Sequence, residues 1–409
     1  MPPDRPESTV GPVAPAERVP YLDLLRGFAL LGVLVANFRG FGWPAEFYGS
    51  SPLPEPTAAD RAAQTLVALF FNNKFITLLS GLFGVGFAIQ LERVRGSGAG
   101  FLAVYTRRLG ALLLFGLAHA FLLWWGDILV TYAAAGVLLL LFRRCGQRAV
   151  LLWSLTLLFS PLVYVAARVV TFQPAAAAAQ AGPTPAVMLA RASQAYLHGT
   201  WAELQRQLTH DWLVNNDGGY MTALQSLAWF LFGMFVWRSG LLSRLAEERS
   251  RLKRVFIGGV LGGTAGLVLV LVIRQTWQPR VSKLWGLLLA TLALRIAAST
   301  ALSLGYAAGM ALLSLSTRCP ALKGGMHAMG RMALSNYLLQ SVAGTTLHYG
   351  YGFGLYGKVH ALAALGISVV LYGMQLPLSI WWLGRFRFGP AEWLWRSLTY
   401  MKRQRMYVR

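Results

Sequence analysis

About ten apolar stretches recur along the chain, near residues 22–42, 63–90, 107–125, 127–142, 149–171, 219–240, 255–274, 284–314, 328–348 and 360–384. A helix needs roughly 20 apolar residues to cross the hydrocarbon core of a bilayer, where its backbone must satisfy its own hydrogen bonds. The pattern therefore predicts an all-α, polytopic membrane bundle. The second and eighth stretches are long enough to tilt or break. Only 13% of the 409 residues are charged, against roughly 25% in a soluble protein.

The formal net charge of +22 does not point to nucleic acid. The basic residues fall in short clusters between apolar stretches, such as Arg107 and Arg108, then Arg143, Arg144 and Arg148, then Arg249, Arg251, Lys253 and Arg254. That is the pattern of positive-inside loops. The loop "WPAEFYGSSPLPEPTAAD" after the first stretch has acids and no Lys or Arg, so both termini are placed in the cytoplasm. Residues 1–20 are Pro-rich and polar, without the apolar core of a signal peptide, and read as a disordered tail. Residues 21–385 then form the transmembrane domain, and 386–409, which mix tryptophans with basic residues, a segment at the membrane interface. Within the domain, 173–216 read as an extracytoplasmic loop and amphipathic helix, with Met188, Leu189, Leu197, Trp201, Leu204, Leu208 and Trp212 as its apolar members. It lies on the bilayer or caps a cavity. Gly258, Gly262 and Gly266 permit close helix approach, within the chain or across a homodimer. Cys145 and Cys319 have no metal-ligand spacing and read as free thiols; no metal is expected.

An ionisable group inside a span is a functional candidate by default. The hairpin "LAHAFLLWWGDILVTY" holds His119 and Asp127 on either side of Gly126. A short helical hairpin brings such a pair onto facing helices, where a carboxylate fixes the imidazole tautomer and raises its basicity. That suits a general base; it equally suits a hydrogen bond that pins the hairpin, and the sequence leaves both open. Arg26 follows Asp23 by one helical turn and can pair with it or hold a phosphate. Arg295 and Lys74 fall near mid-span. Arg295 requires an anionic or carbonyl partner, either a substrate phosphate or carboxylate or Asp127. Asn336 and Gln340 share a helix face, for interhelical hydrogen bonds or for a polar tunnel. GxSxG, HExxH and P-loop motifs are absent. His198 and Glu203 have an acid–base spacing, but on the extramembrane helix.

Taken together, "YLDLLRGFALLGVLVANF", "FGLAHAFLLWWGDILVTYAAAGVLLL", "GRMALSNYLLQS" and "FGPAEWLWRSLTY" resemble the YeiB-like family of bacterial membrane proteins, a domain of unknown function (DUF418). The resemblance covers nearly the whole chain after the tail. It implies kinship with transmembrane acyltransferases, which move an acyl group from cytoplasmic acyl-CoA to an acceptor beyond the membrane. "RGFALLGVLVAN" is similar to the first-helix motif of that group, with Arg26 and Asn37 at its arginine and asparagine. The glucosaminide acetyltransferases of the group carry a catalytic histidine where this chain has Tyr48, and the sugar acyltransferases one where Asn37 stands.

The resemblance thus implies an integral acyltransferase of the bacterial inner membrane, using acyl-CoA and a small-molecule or glycan acceptor, with membrane lipids as its other partners and no nucleic acid. His119 would deprotonate the acceptor and Asp127 orient the imidazole. Arg26 and Arg295 would hold donor phosphates, and Asn37, Asn336 and Gln340 would position the reactants. A transporter or flippase of an anionic or lipid-linked substrate is the alternative, without the internal repeat many transporters show. A non-catalytic membrane scaffold is the third reading.

Overall fold

The computed structural model describes residues 19–48, 57–95, 100–171, 184–217, 219–281 and 284–408. Nearly all of the tail read over 1–20, and most of the connector after Gln173, lie outside the described residues. Among the described residues the architecture is helical throughout, and the only β pairing is an isolated bridge between Phe386 and Tyr407. Eight helical stretches are long and apolar enough to cross a membrane. The other two expected spans are shorter, Leu129–Phe142 and Ala333–His348.

The first helix, α1 (Pro20–Asn37), starts with a proline in its first turn, where the missing N–H is harmless. It is the most enclosed of the eight stretches. The second apolar stretch breaks into α2 (Ala58–Phe70) and α3 (Lys74–Arg95). Asn73 takes the left-handed conformation at the break, φ 68°. Carbonyls freed there cannot be solvated by lipid. Lys74 Nζ answers one of them, donating to Ala68 O at 3.1 Å. Helix α4 (Phe101–Leu122) then turns tightly into α5 (Leu129–Leu139). The fifth stretch is also two helices, α6 (Gln147–Leu158) and α7 (Ser160–Thr171).

The amphipathic segment forms α8 (Pro185–Ser193), a π-turn over Gln194–His198, and α9 (Trp201–Asn215). Leu204 and Leu208 are buried as the pattern requires, whereas Trp201 is exposed. Glu203 is occupied as a helix cap, its carboxylate on Thr200 and the Thr200 hydroxyl on the Glu203 N–H. The spacing of His198 and Glu203 therefore reflects where a helix begins.

Three further crossings follow, α10 (Gly219–Arg238), α11 (Arg249–Val281) and α12 (Trp285–Ser314). The eighth stretch, α12, stays a single helix. The glycine contact between α11 and α12 is in a different register from the sequence pattern. A Cβ on Gly259 would lie 2.5 Å from Ala301 O, and one on Gly263 2.8 Å from the Leu302 backbone N, while Gly258 and Gly262 face open space. Gly266 alone of the expected trio meets α12, at Ala298. Two adjacent glycine ladders exist on α11, and the one turned toward α12 is the one that packs.

The ninth stretch breaks at Met332 into α13 (Pro320–Arg331) and α14 (Ala333–His348). Glu392, on the C-terminal helix α16 (Pro390–Tyr400), accepts the Leu334 N–H at 2.6 Å and the Ser335 N–H at 3.1 Å. A distant carboxylate thus caps α14, favourably placed at the positive end of the helix dipole. Helix α15 (Ala361–Leu383) packs beside α13. Helices α1 and α13 cross at backbone contact: a Cβ on Gly27 would lie 2.0 Å from Met326 O, and one on Gly330 1.8 Å from Asp23 O.

Candidate functional site

A cavity of about 640 Å³ runs along α3 from Asn73 to Arg93. That is about 30 Å of helix at 1.5 Å per residue, the thickness of the hydrocarbon core. Its chemistry changes from end to end. At the inner end, where α1 and α4 begin, its wall carries Arg26, Arg93, Arg108, Arg331, Arg387 and Arg396. The middle is apolar, formed by Leu30, Val33, Ile76, Leu79, Phe83 and Leu112. The outer end carries Asn37, Tyr48, Asp127, Asn215 and Asn216.

The inner arginines come from five helices and the loop before α16. Arg26 pairs with Asp23 at 2.7 Å. Arg108 donates to Gln90 Oε1 at 3.0 Å and lies over the Phe83 and Trp395 rings. Trp395 Nε1 in turn donates to Arg108 O at 3.1 Å, tying α16 to α4. Such a concentration of guanidinium groups matches a polyanionic group, since arginine binds phosphate by forked, charge-assisted hydrogen bonds.

At the outer end the α4–α5 hairpin is folded by its tryptophans. Trp124 and Trp125 are fully buried, and Trp124 Nε1 donates to Gly40 O at 2.9 Å, fixing the hairpin to the end of α1. Asp127 Oδ1 accepts the Val130 N–H at 2.8 Å, ending the corner and starting α5. Asp127 Oδ2 lies 2.9 Å from His119 Nδ1. His119 Nε2 lies 2.8 Å from Ser341 Oγ on α14. The result is a buried chain Ser341–His119–Asp127, with the connectivity of a hydroxyl, an imidazole and an orienting carboxylate. Asp127 and Tyr337 border the cavity, and His119 sits one layer behind them, its ring 4.9 Å from that of Tyr337.

Asn37 and Tyr48 also meet: the Tyr48 hydroxyl donates to Asn37 Oδ1 at 2.6 Å on the cavity wall. The sequence-predicted residues thus divide. Arg26, Asn37 and Asp127 line the cavity, and His119 backs it. Asn336 and Gln340 lie elsewhere, joining α14 to α15: Asn336 Nδ2 donates to Ser379 Oγ at 3.0 Å and Gln340 Nε2 to Gln375 Oε1 at 2.9 Å. Arg295 is exposed on α12, near Lys74, and is not among the lining residues. Tyr48 entered the sequence reading only as the residue standing where a histidine was expected. Arg108 read only as a positive-inside loop charge, and Ser341 and Tyr337 carried no charge to single them out.

The end of α9 closes the outer mouth, through Asn215 and Asn216. Its Trp212 ring packs on Phe121 of α4 at 5.3 Å. One turn earlier, Asp211 is fully buried and accepts from Tyr196 at 2.6 Å and Gln207 at 3.0 Å. Burial, reinforced by the nearby charge of Glu46, pushes the Asp211 carboxyl up to about 6 against the effect of those hydrogen bonds.

A family model described as a protein of unknown function, DUF418, matches residues 236–402. The chain is 34% identical to the uncharacterized protein YxaH of Bacillus subtilis (strain 168), over 97% of this chain and 98% of the relative. It is 28% identical to the uncharacterized protein YeiB of Escherichia coli (strain K12), over 94% and 96%. An uncharacterized 39.9 kDa protein from the amylase 3' region of Bacillus acidopullulyticus is 27% identical over 96% of each chain. No solved structure matches.

Proposed function

The chain belongs to the YeiB-like DUF418 family of multi-pass membrane proteins, and from its cavity we infer that it is an acyltransferase that uses acyl-CoA from one side of the membrane to modify a hydroxyl or amine reached from the other. The observation that carries this reading is the polarity sequence along the cavity: arginines, then apolar wall, then amide, phenol and carboxylate. An acyl-CoA has the same sequence, with phosphates at one end, an extended arm and a thioester. The inner arginines receive the phosphates. The apolar middle takes the arm and brings the thioester toward Asn37 and Tyr48.

The acceptor enters at the outer end and attacks the thioester carbonyl. Its proton passes to the His119–Asp127 pair, of which Asp127 is the residue bordering the cavity. The Asn37 amide N–H, held in place by the Tyr48 hydroxyl that donates to Asn37 Oδ1, supplies a donor for the oxyanion that develops. The C–S bond then breaks, and CoA leaves through the inner end as its thiol. The distance between arginines and base is no obstacle, because the cavity itself spans it.

The test is incubation of the purified protein with labelled acyl-CoAs and a panel of sugar and amine acceptors. Transfer is expected, and His119→Ala is expected to lower it by about 100-fold or more, the usual worth of a general base. Binding of no acyl-CoA, or undiminished transfer by His119→Ala, refutes the assignment. Passage of an intact labelled lipid or anion across proteoliposomes, without cleavage, would instead indicate transport.

A further inference from the structure

The geometry points to a divalent transition-metal site on the outer face of the protein, formed by Glu46, His210 and Asp211, that clips α9 to the segment following α1. The site is separate from the cavity and does not depend on the acyl-transfer reading.

One ligand atom from each of the three residues lies within 4.8 Å of the others. His210 Nδ1 is 3.4 Å from Asp211 Oδ1 and 3.9 Å from Glu46 Oε1. Nitrogen and oxygen ligands held 2.0–2.1 Å from a tetrahedral zinc stand about 3.3 Å apart, so the set closes on a metal with small side-chain movements. One imidazole with two carboxylates suits zinc and its neighbours in the first transition row, and is a poor match to magnesium or calcium, which prefer all-oxygen shells.

The surroundings point to a ligand independently. Glu46 Oε2 is buried and has no hydrogen-bond partner among the described residues. The Tyr356 hydroxyl, in a residue only 2% exposed, also has none among them, and it lies near enough to Glu46 and Asp211 to feel both charges. Buried polar groups are nearly always satisfied, and a cluster of exceptions marks an ion or water site. Two acids share this pocket, and a shared cation removes their repulsion. Tyr196 and Gln207 donate to the Asp211 carboxylate and hold it in place, as the partners of a metal ligand must. His210 is itself half exposed, which leaves an approach for the ion.

The experiment uses tag-free protein in detergent, stripped with a chelator and dialysed, then titrated with zinc chloride by calorimetry and assayed for bound metal. One zinc per chain is expected, with a rise in melting temperature. Glu46→Gln and His210→Ala are each expected to weaken zinc binding by about tenfold or more and to abolish the rise. Cobalt substitution of the wild-type protein reads the coordination directly through its visible absorption, which covers the case of a variant that fails to fold. Absence of stoichiometric zinc, wild-type affinity in both variants, or equal binding of magnesium overturns the proposal. Acyl transfer is measured separately, so failure of either proposal leaves the other standing.

Discussion

At the scale of single residues, the chain Ser341–His119–Asp127 has every polar atom engaged and none exposed. Breaking such a network leaves a buried donor or acceptor unpaired, at a cost of about 1–3 kcal/mol. Asp127→Asn would keep the shape of the corner but exchange one acceptor for a donor. It is expected to lower the thermal stability and to abolish acyl transfer together. Ser341→Ala removes the partner of Nε2 alone, and should leave the fold intact while lowering acyl transfer; undiminished transfer would mean that the hydroxyl does not act on His119. His119 and Asp127 were visible in the sequence, because a histidine and an aspartate within one apolar hairpin violate its composition. Ser341 was not, since serines are common in membrane helices and its partner lies 222 positions away. The zinc ligands were hidden for the same reason: Glu46 sits in the first loop and His210 in the extramembrane helix.

At the scale of elements, apolar runs gave the crossings but not their interruptions. Asn72, Asn73 and Lys74 stand at the first break and Arg331 before the second, but Arg295 interrupts the eighth run as well and α12 stays whole, so polar residues alone do not locate the breaks. What holds them is a capping group, Lys74 Nζ at the first break on Ala68 O and the distant Glu392 on the start of α14. Glu392→Ala should therefore cost about 1–3 kcal/mol by stranding two N–H groups. Hydrogen exchange is expected to rise first at Leu334 and Ser335. Helix crossings were equally underdetermined. A pattern of spaced glycines offers several faces, and only packing selects Gly259 and Gly263 over Gly258 and Gly262. Gly27→Val, forced into the Met326 carbonyl, should destabilise the protein by at least about 2 kcal/mol. Gly262→Val, facing open space, should be close to neutral in the same melting assay.

At the scale of the whole molecule, the inner arginines read individually as positive-inside charges, and that role accounts for each one alone. Their convergence on a single cavity wall is a property of the tertiary fold, which no spacing in the sequence reports. Arg108→Ala should weaken acyl-CoA binding several-fold in a competition assay while sparing binding of a simple fatty acid, because only the donor's phosphates meet that end. Equal loss for both ligands would place the phosphates elsewhere. The enclosed position of α1 also bears on how the protein is made. Of the described helices, the earliest synthesised depends on late ones: α13 crosses α1 at Gly27 and Gly330, Gln340 of α14 reaches Leu30 O, and Tyr372 of α15 donates to Gly27 O at 2.9 Å. Until those helices are synthesised, α1 presents the Gly27 notch and the carbonyls of Gly27 and Leu30 to lipid, where small-residue contacts and hydrogen bonds have no partner. A chain truncated before α13 should insert and yet be cleared rapidly by quality-control proteolysis, so that the N-terminal half is short-lived in cells unless the C-terminal half is co-expressed as a separate fragment.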